Sequence, residues 1–301
     1  MIRVAESDAD LAAYVEVWNA VPPNRPTTVE AQRERRERDP RRLNVVALRD
    51  DAVVGCGFAG PSQSEGRVAV SPRVLPAARR AGIGSSLLKM LIEHAGKTGC
   101  SHVSASVAGD DDGSLAFARR FGFEEVDREV EQVRSIGDEK PPAIPAGVRF
   151  VTIAEQPQLL RDAYDLALEG YADLATPTPV TISLEEWLGE EATLPAGSFV
   201  AFAGNEIVGY SGLCRRFDGV VEDGLTVVRR DWRRRGLAIA LKQAELHWAA
   251  ANGIQEVVTW TQRGNDGMRA VNERLGYLYR SVEITVNAPL ERAVAAVAAV
   301  V

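Results

Sequence analysis

Cysteine is scarce: Cys56, Cys100 and Cys214 are the only three in 301 residues, an odd number without paired spacing. That excludes a disulfide framework and a thiolate zinc site, and it suits reduced thiols in a cytoplasmic protein. Histidine is equally sparse, and His94, His102 and His247 lack the spacing of a metal-ligand set, so no metal is expected. No apolar run approaches the roughly 20 residues needed to span a bilayer. Residues 288–301 are Ala/Val-rich but too short for a span; they read as a packing helix or a frayed end. Charges begin within the first ten residues, which does not fit a secretion signal. Nor is there an excess of basic charge: 35 Lys and Arg face 42 Asp and Glu, for a net charge of −7. A general nucleic-acid role is not suggested, and an acidic surface mildly favours a cationic substrate.

What the chain does have is a repeat. Val74-Leu-Pro-Ala-Ala-Arg79-Arg80-Ala81-Gly82-Ile83-Gly84 reappears, in the order of its features, as Val228-Arg-Arg-Asp-Trp-Arg233-Arg234-Arg235-Gly236-Leu237-Ala238. The offset is 154 residues (228 − 74), and it also carries Gly55 to Gly209, Gly99 to Gly253 and Gly122-Phe123 to Gly276-Tyr277. A constant offset over about 70 residues without a gap means a duplicated domain. In each copy an apolar strand enters an arginine-bearing turn, and a glycine opens a helix. The first amides of a helix have no intrahelical acceptor and carry the positive end of the macrodipole. Such a turn is an anion site suited to phosphate, and a glycine lets the ligand approach the backbone.

These residues, R-x-x-G-x-G/A after a strand with a Gly-Phe or Gly-Tyr pair about 40 residues on, resemble the acyl-CoA-binding signature of the Gcn5-related N-acetyltransferases (GNAT). The resemblance covers nearly the whole chain as two tandem copies. It implies an α/β fold, a mixed and mostly antiparallel sheet with flanking helices, in two tandem GNAT-like domains. It implies acetyl-CoA or coenzyme A as the cofactor, held in the second copy by Val227, Val228, Arg233, Arg234, Arg235, Gly236, Leu237 and Ala238. In the first copy the matching residues are Val74, Arg79, Arg80, Ala81, Gly82, Ile83, Gly84 and Ser85. It further implies that strands 220–228 and 256–261 splay, with the pantetheine arm in the gap. Asn265 after the second of these strands could bind that arm; its counterpart is Asp111.

A chain of this length fits two domains of about 150 residues. The expected division is 1–137, a proline-rich linker at 138–147 and 148–301. Within each half the pattern runs strand, two helices, three strands, helix, strand, helix, strand. Pro72 interrupts the strand at 68–75, which must bulge or lie open on one side there. In the second half the loop 176–180 holds two prolines.

N-acetyl transfer needs a proton acceptor for the amine, and the family's base is commonly a glutamate in the strand before the phosphate turn. Glu222 is the first candidate, with Asp223 in reserve. Alternation puts Glu222 on the face of Gly224, Thr226 and Val228, and Asp223 on the other. The same positions in the first copy are Val68 and Ala69, so that copy has the turn without a base. The tyrosine acid frequent in the family, four residues before the Gly of the Gly-aromatic pair, is replaced by Ala118 and Asn272. Asn272 could donate a hydrogen bond to sulfur. The expectation is an acetyl-CoA-dependent N-acyltransferase acting on a small-molecule amine in its second half, with a degenerate first half. The alternatives are a non-catalytic coenzyme-binding or scaffold protein, or transfer of longer acyl groups or to protein amines. A homodimer is compatible with this reading.

Overall fold

The computed structural model describes the chain apart from residues 23–25, 63–65, 175–179, 181, 218 and 300–301; the expected 176–180 loop falls almost wholly outside. The first repeat comprises β1 (Ile2–Val4), α1 (Asp8–Ala20), α2 (Val29–Arg38), β2 (Leu43–Arg49), β3 (Ala52–Pro61), β4 (Arg67–Val74), α3 (Ile83–Gly96), β5 (His102–Ala108), α4 (Asp112–Arg120) and β6 (Glu124–Ser135). The second comprises β7 (Val148–Thr152), α5 (Leu159–Asp162), α6 (Tyr164–Ala172), α7 (Leu184–Glu190), β8 (Phe199–Ala203), β9 (Glu206–Phe217), β10 (Val220–Val228), α8 (Leu237–Ala251), β11 (Glu256–Gln262), α9 (Asp266–Arg274) and β12 (Leu278–Pro289). The 288–301 tail supplies the end of β12 and a packing helix, α10 (Leu290–Ala298).

Local chemistry sets most boundaries. Ser7 caps α1, its side chain accepting from the Asp10 amide, while the Asp10 carboxylate pairs with Arg3 at 2.6 Å. Thr28 caps α2, and Ser183 with Glu186 forms a capping box on α7. Asp50 and Asp51 take positive φ (51° and 62°) and turn the β2–β3 hairpin.

The chain forms two compact units, and they are not its two continuous halves. Unit 1 is Met1–Arg128 with Val282–Val301; unit 2 is Glu129–Ser281. The boundaries fall inside β6 and β12, so the expected division at 138–147 is corrected. In unit 2, residues 129–135 of β6 lie antiparallel on β11, from Gln262↔Glu129 to Glu256↔Ser135. In unit 1, residues 283–289 of β12 lie antiparallel on β5, and Ala293 and Val297 of α10 join the core around Leu87, Leu91 and Ile92. Each repeat thus ends in a strand that completes the other unit's sheet. The proline-rich stretch lies on unit 2, where His247 Nδ1 donates to the Glu139 carbonyl (2.9 Å) and Gln243 accepts from the Ala143 amide (3.3 Å).

Unit 1 orders its strands β1-β2-β3-β4-β5-β12 and unit 2 β6-β11-β10-β9-β8-β7, antiparallel except for β4/β5 and β10/β11. The repeated glycines are explained by packing: a Cβ on Gly55 would stand 3.2 Å from Leu87, and one on Gly209 3.0 Å from Leu241, the matching helix residue. Each glycine lets its phosphate-turn helix settle close on the sheet.

Candidate active site

Both units open a gap beside the phosphate turn. The parallel pairing of β4 with β5 stops at Ala69↔Ser104, and that of β10 with β11 stops at Asp223↔Thr259. Pro72 lies beyond the first stopping point, so its missing N–H leaves no ladder bond unmade on that side. The turns that follow are near copies: Arg80 and Gly82 have φ of 65° and 80°, Arg234 and Gly236 of 61° and 79°. Neither Gly82 nor Gly236 offers a side-chain cap, and a Cβ on either would meet nothing within 4 Å. The leading amides of α3 and α8, at Ile83, Gly84 and Ser85 and at Leu237 and Ala238, therefore front open space, as an anion cradle requires.

The arginines do different work in the two turns. Arg79 and Arg233 each return Nε to a strand carbonyl, Val74 at 3.2 Å and Val228 at 2.9 Å, which fixes the turn. In unit 2, Arg233 also reaches Asp173 at 2.5 Å and Glu169 at 3.6 Å, and Arg230 meets Asp173 at 2.6 Å. Hydrogen bonds from Arg230 and Arg233 hold the Asp173 carboxyl down at about 2. Arg235 stacks on Trp232, 4.6 Å from ring centre. In unit 1, Arg79 lies only 3.8 Å from Asp111, and the gap continues into a cavity of about 730 Å3 lined by Pro72, Val74, Arg79, Gly82, Ser85 and Ser106, among others. Asp111 and Asn265 prove to be equivalent helix caps, accepting from the Ser114 and Met268 amides. Asn265 Oδ1 is thus engaged at the start of α9.

At the mouth of the unit 2 gap the strand is irregular. Asp223 pairs with Leu213 but Thr226 pairs with Ser211, so β10 holds one residue more than β9 across Gly224-Leu225. Such a bulge re-aims side chains. It corrects the alternation: Asp223 and Thr226 share a face, joined by a 3.1 Å hydrogen bond, and Glu222 does not share it. Glu222 is about a third exposed, with Arg216 4.0 Å away. Asp223 is buried and ion-paired with buried Lys242, so it is no reserve base. Asn272 is also buried, and its amide donates to Gln132 (3.0 Å) and Thr261 (3.3 Å). Its donors are spent inside the unit, which corrects the expectation that they serve a leaving sulfur. β3 and β4 keep an unbroken register and have no such bulge.

One carboxylate at this mouth has no sequence motif. Glu191, just after α7, stands 3.3 Å from where a Cβ on Gly224 would be, and a side chain on Gly212 would collide with it. Tyr210 donates to it at 3.1 Å. Burial, with Glu222 and Asp223 beside it, pushes its carboxyl up to about 7, against the pull of that hydrogen bond. Only the pairing of Gly212 with Gly224 across two strands could have hinted at it, and that pairing depends on the bulge.

Comparison with known proteins identifies this arrangement. The sequence profile described as the acetyltransferase (GNAT) family matches twice, at residues 9–123 and 160–277. The chain belongs to the GNAT family. A mycothiol acetyltransferase of Catenulispora acidiphila is 25% identical over 241 residues, 77% of this chain and 76% of that one. An L-methionine sulfoximine/L-methionine sulfone acetyltransferase of Pseudomonas paraeruginosa is 30% identical over 139 residues, 44% of this chain and 80% of that one. A solved tandem GNAT protein from the clavulanic acid biosynthesis pathway shares the fold at a TM-score of 0.72 and 21% identity, over 96% of this chain and 98% of that one. GNAT proteins use acetyl-CoA. Among the described residues no helix is long and apolar enough to cross a membrane, and no cluster of metal-ligating side chains occurs.

Proposed function

We propose that unit 2 transfers the acetyl group of acetyl-CoA to the amine of a small molecule by direct attack. The observation that carries this reading is the β10 bulge where the sheet opens, with partly exposed Glu222 at the mouth. At the matching places of unit 1 stand Val68 and Ala69, on a strand without a bulge. The thioester supplies an activated acyl group, so no protein nucleophile is required. The residues of unit 2 have three tasks. The amides of Leu237 and Ala238, with Arg233, Arg234 and Arg235, hold the phosphates; Val227 and Val228 offer strand groups to the arm. The carboxylates at the mouth, Glu222 among them, engage the ammonium and take its proton directly or through water. The acetyltransferases similar to this chain are named for small molecules, which supports a small amine as acceptor.

Thiol release from acetyl-CoA, measured with putrescine, glucosamine and L-methionine sulfone as acceptor probes, tests the reading. Glu222→Gln is expected to lower kcat/KM for the amine while calorimetric affinity for coenzyme A stays within about twofold. Turnover equal to wild type would remove Glu222 from the site. One observation favours a second role: the 730 Å3 cavity lies in unit 1. We infer that unit 1 also binds coenzyme A, without chemistry. Calorimetry would then give two coenzyme sites per chain, and a single site abolished by changes in unit 2 would exclude it.

A further inference from the structure

The mouth of unit 2 carries a second carboxylate in a setting different from that of Glu222, and the two settings suggest two roles. The segment holding Glu191 is fixed from several sides. Ala192 is buried in a left-handed conformation (φ 49°), the Leu194 amide donates to Leu213 O, and Thr193 Oγ1 accepts from the Arg215 amide at 2.7 Å. A non-glycine residue held at positive φ costs free energy and persists where its surroundings over-determine it. The result is a carboxylate placed over Gly224, the first residue of β10 past the end of its pairing with β11. Gly212 and Gly224 leave the room it occupies; a side chain at either would push it away.

Among the described residues, the groups facing Glu191 include Tyr171 from α6, Tyr210 and Cys214 from β9, Glu222 and Asp223 from β10, and Glu245 from α8, all acidic or neutral. Asp223 is neutralised by Lys242, Glu222 has Arg216 at 4.0 Å, and none of the groups named as facing Glu191 is a cation. Glu191, partly open to the mouth, is thus disposed to receive a cation and then its proton.

We propose that Glu191 is the catalytic base of unit 2 and that Glu222 anchors the ammonium of a primary-amine acceptor beside it. The proposal rests on the reading that unit 2 acetylates an amine. One N–H proton passes from the ammonium to a Glu191 oxygen, leaving the neutral acid and a free nitrogen lone pair. That pair forms the C–N bond to the acetyl carbon, and the C–S bond breaks with its electrons on sulfur. The nitrogen sheds a second proton, which reaches the thiolate through solvent, and Glu191 returns its proton to water. A base titrating near neutrality, where Glu191 is held, serves this step better than an ordinary surface carboxylate.

The test is the pH dependence of kcat and KM for the fastest of the three amine probes, in wild type, Glu191→Gln, Glu222→Gln and Tyr210→Phe, each checked for calorimetric coenzyme A affinity. Wild-type kcat should rise with pH through about 7 and then level, because the base must be ionised. Glu191→Gln should lose that limb and about 100-fold or more in kcat at neutral pH. Glu222→Gln should keep the limb and raise the amine KM about tenfold. Tyr210→Phe keeps the carboxylate but removes the hydrogen bond that lowers its pKa, so the limb should move to higher pH; this variant decides the matter if Glu191→Gln does not fold. An unchanged limb in Glu191→Gln or Tyr210→Phe, or its loss in Glu222→Gln, would overturn the assignment while leaving the acetyltransferase reading intact. Wild type that binds coenzyme A yet acetylates no probe would overturn that reading and the assignment with it.

Discussion

Two buried residues and one half-open one decide how unit 2 stands against pH and mutation. Lys242 and Asp223 form a buried ion pair beneath β10, with the Tyr277 hydroxyl 3.5 Å from the same carboxylate. Removing one partner leaves the other charge uncompensated, at a cost of about 3–5 kcal/mol, while removing both can be nearly neutral. Lys242→Met should therefore lower the unfolding free energy by about that amount in denaturant titration, and adding Asp223→Asn should recover most of it. Equal losses in the single and double variants would refute the pairing. At Glu191 the sign follows from its raised carboxyl. The unfolded chain ionises near the ordinary 4.5, the native unit only near 7, so the native state holds an extra proton between them and stability falls as pH rises. Glu191→Gln lacks this loss, so its Tm relative to wild type should climb across that window; a constant difference would contradict the shift. Glu222 was legible in the sequence as a strand carboxylate before a phosphate turn. Glu191 was not, because nothing in the 30 positions between them (192–221) marks a loop residue as facing a strand. Asp223 and Asn272 carried the right chemistry in the wrong places: their partners, Lys242 and Gln132, are distant in sequence.

At the scale of elements, the repeat was readable because both phosphate turns obey one local code. The 154-residue offset reappears in the backbone, at Arg80 with Arg234 and at Gly82 with Gly236. The bulge in β10 was not readable, since it depends on how Gly224 and Leu225 fit against β9, and it reversed the faces that alternation assigns. The turn of unit 2 makes a further prediction. Asp173, after the end of α6, engages Arg230 and Arg233 where phosphate oxygens would compete. These pairs are partly exposed and screened, so the competition is mild. Asp173→Asn should tighten coenzyme A binding by up to about fivefold in calorimetry at low salt, with the gain shrinking as salt rises. Weaker binding would mean that Asp173 orients the arginines for the ligand instead.

For the whole molecule, the constant offset gave the duplication and the resemblance carried by the repeated motif implied the fold class, but continuity of sequence did not mark where the units divide. Nothing in residues 124–135 or 278–289 says which repeat's strand each will lie on, because the repeats present similar edges. The physical consequence is that cutting within the proline-rich stretch should fail. Residues 148–301 alone would leave β11 without its antiparallel neighbour at 129–135, and residues 1–137 would leave β5 and α3 without 283–289 and α10. Unpaired edges of this kind invite aggregation. Expressed apart, the pieces should lack a cooperative unfolding transition; two cooperative transitions would show that the continuous halves fold alone. The central claim, that acetyl transfer belongs to unit 2 and coenzyme binding alone to unit 1, is tested most directly by matched substitutions at the helix caps. Aspartate tolerates left-handed backbone and caps helices well, so Gly82→Asp and Gly236→Asp should fold while placing a carboxylate in each anion cradle. Thiol release from acetyl-CoA should survive Gly82→Asp and disappear in Gly236→Asp, and the opposite pattern would contradict the account.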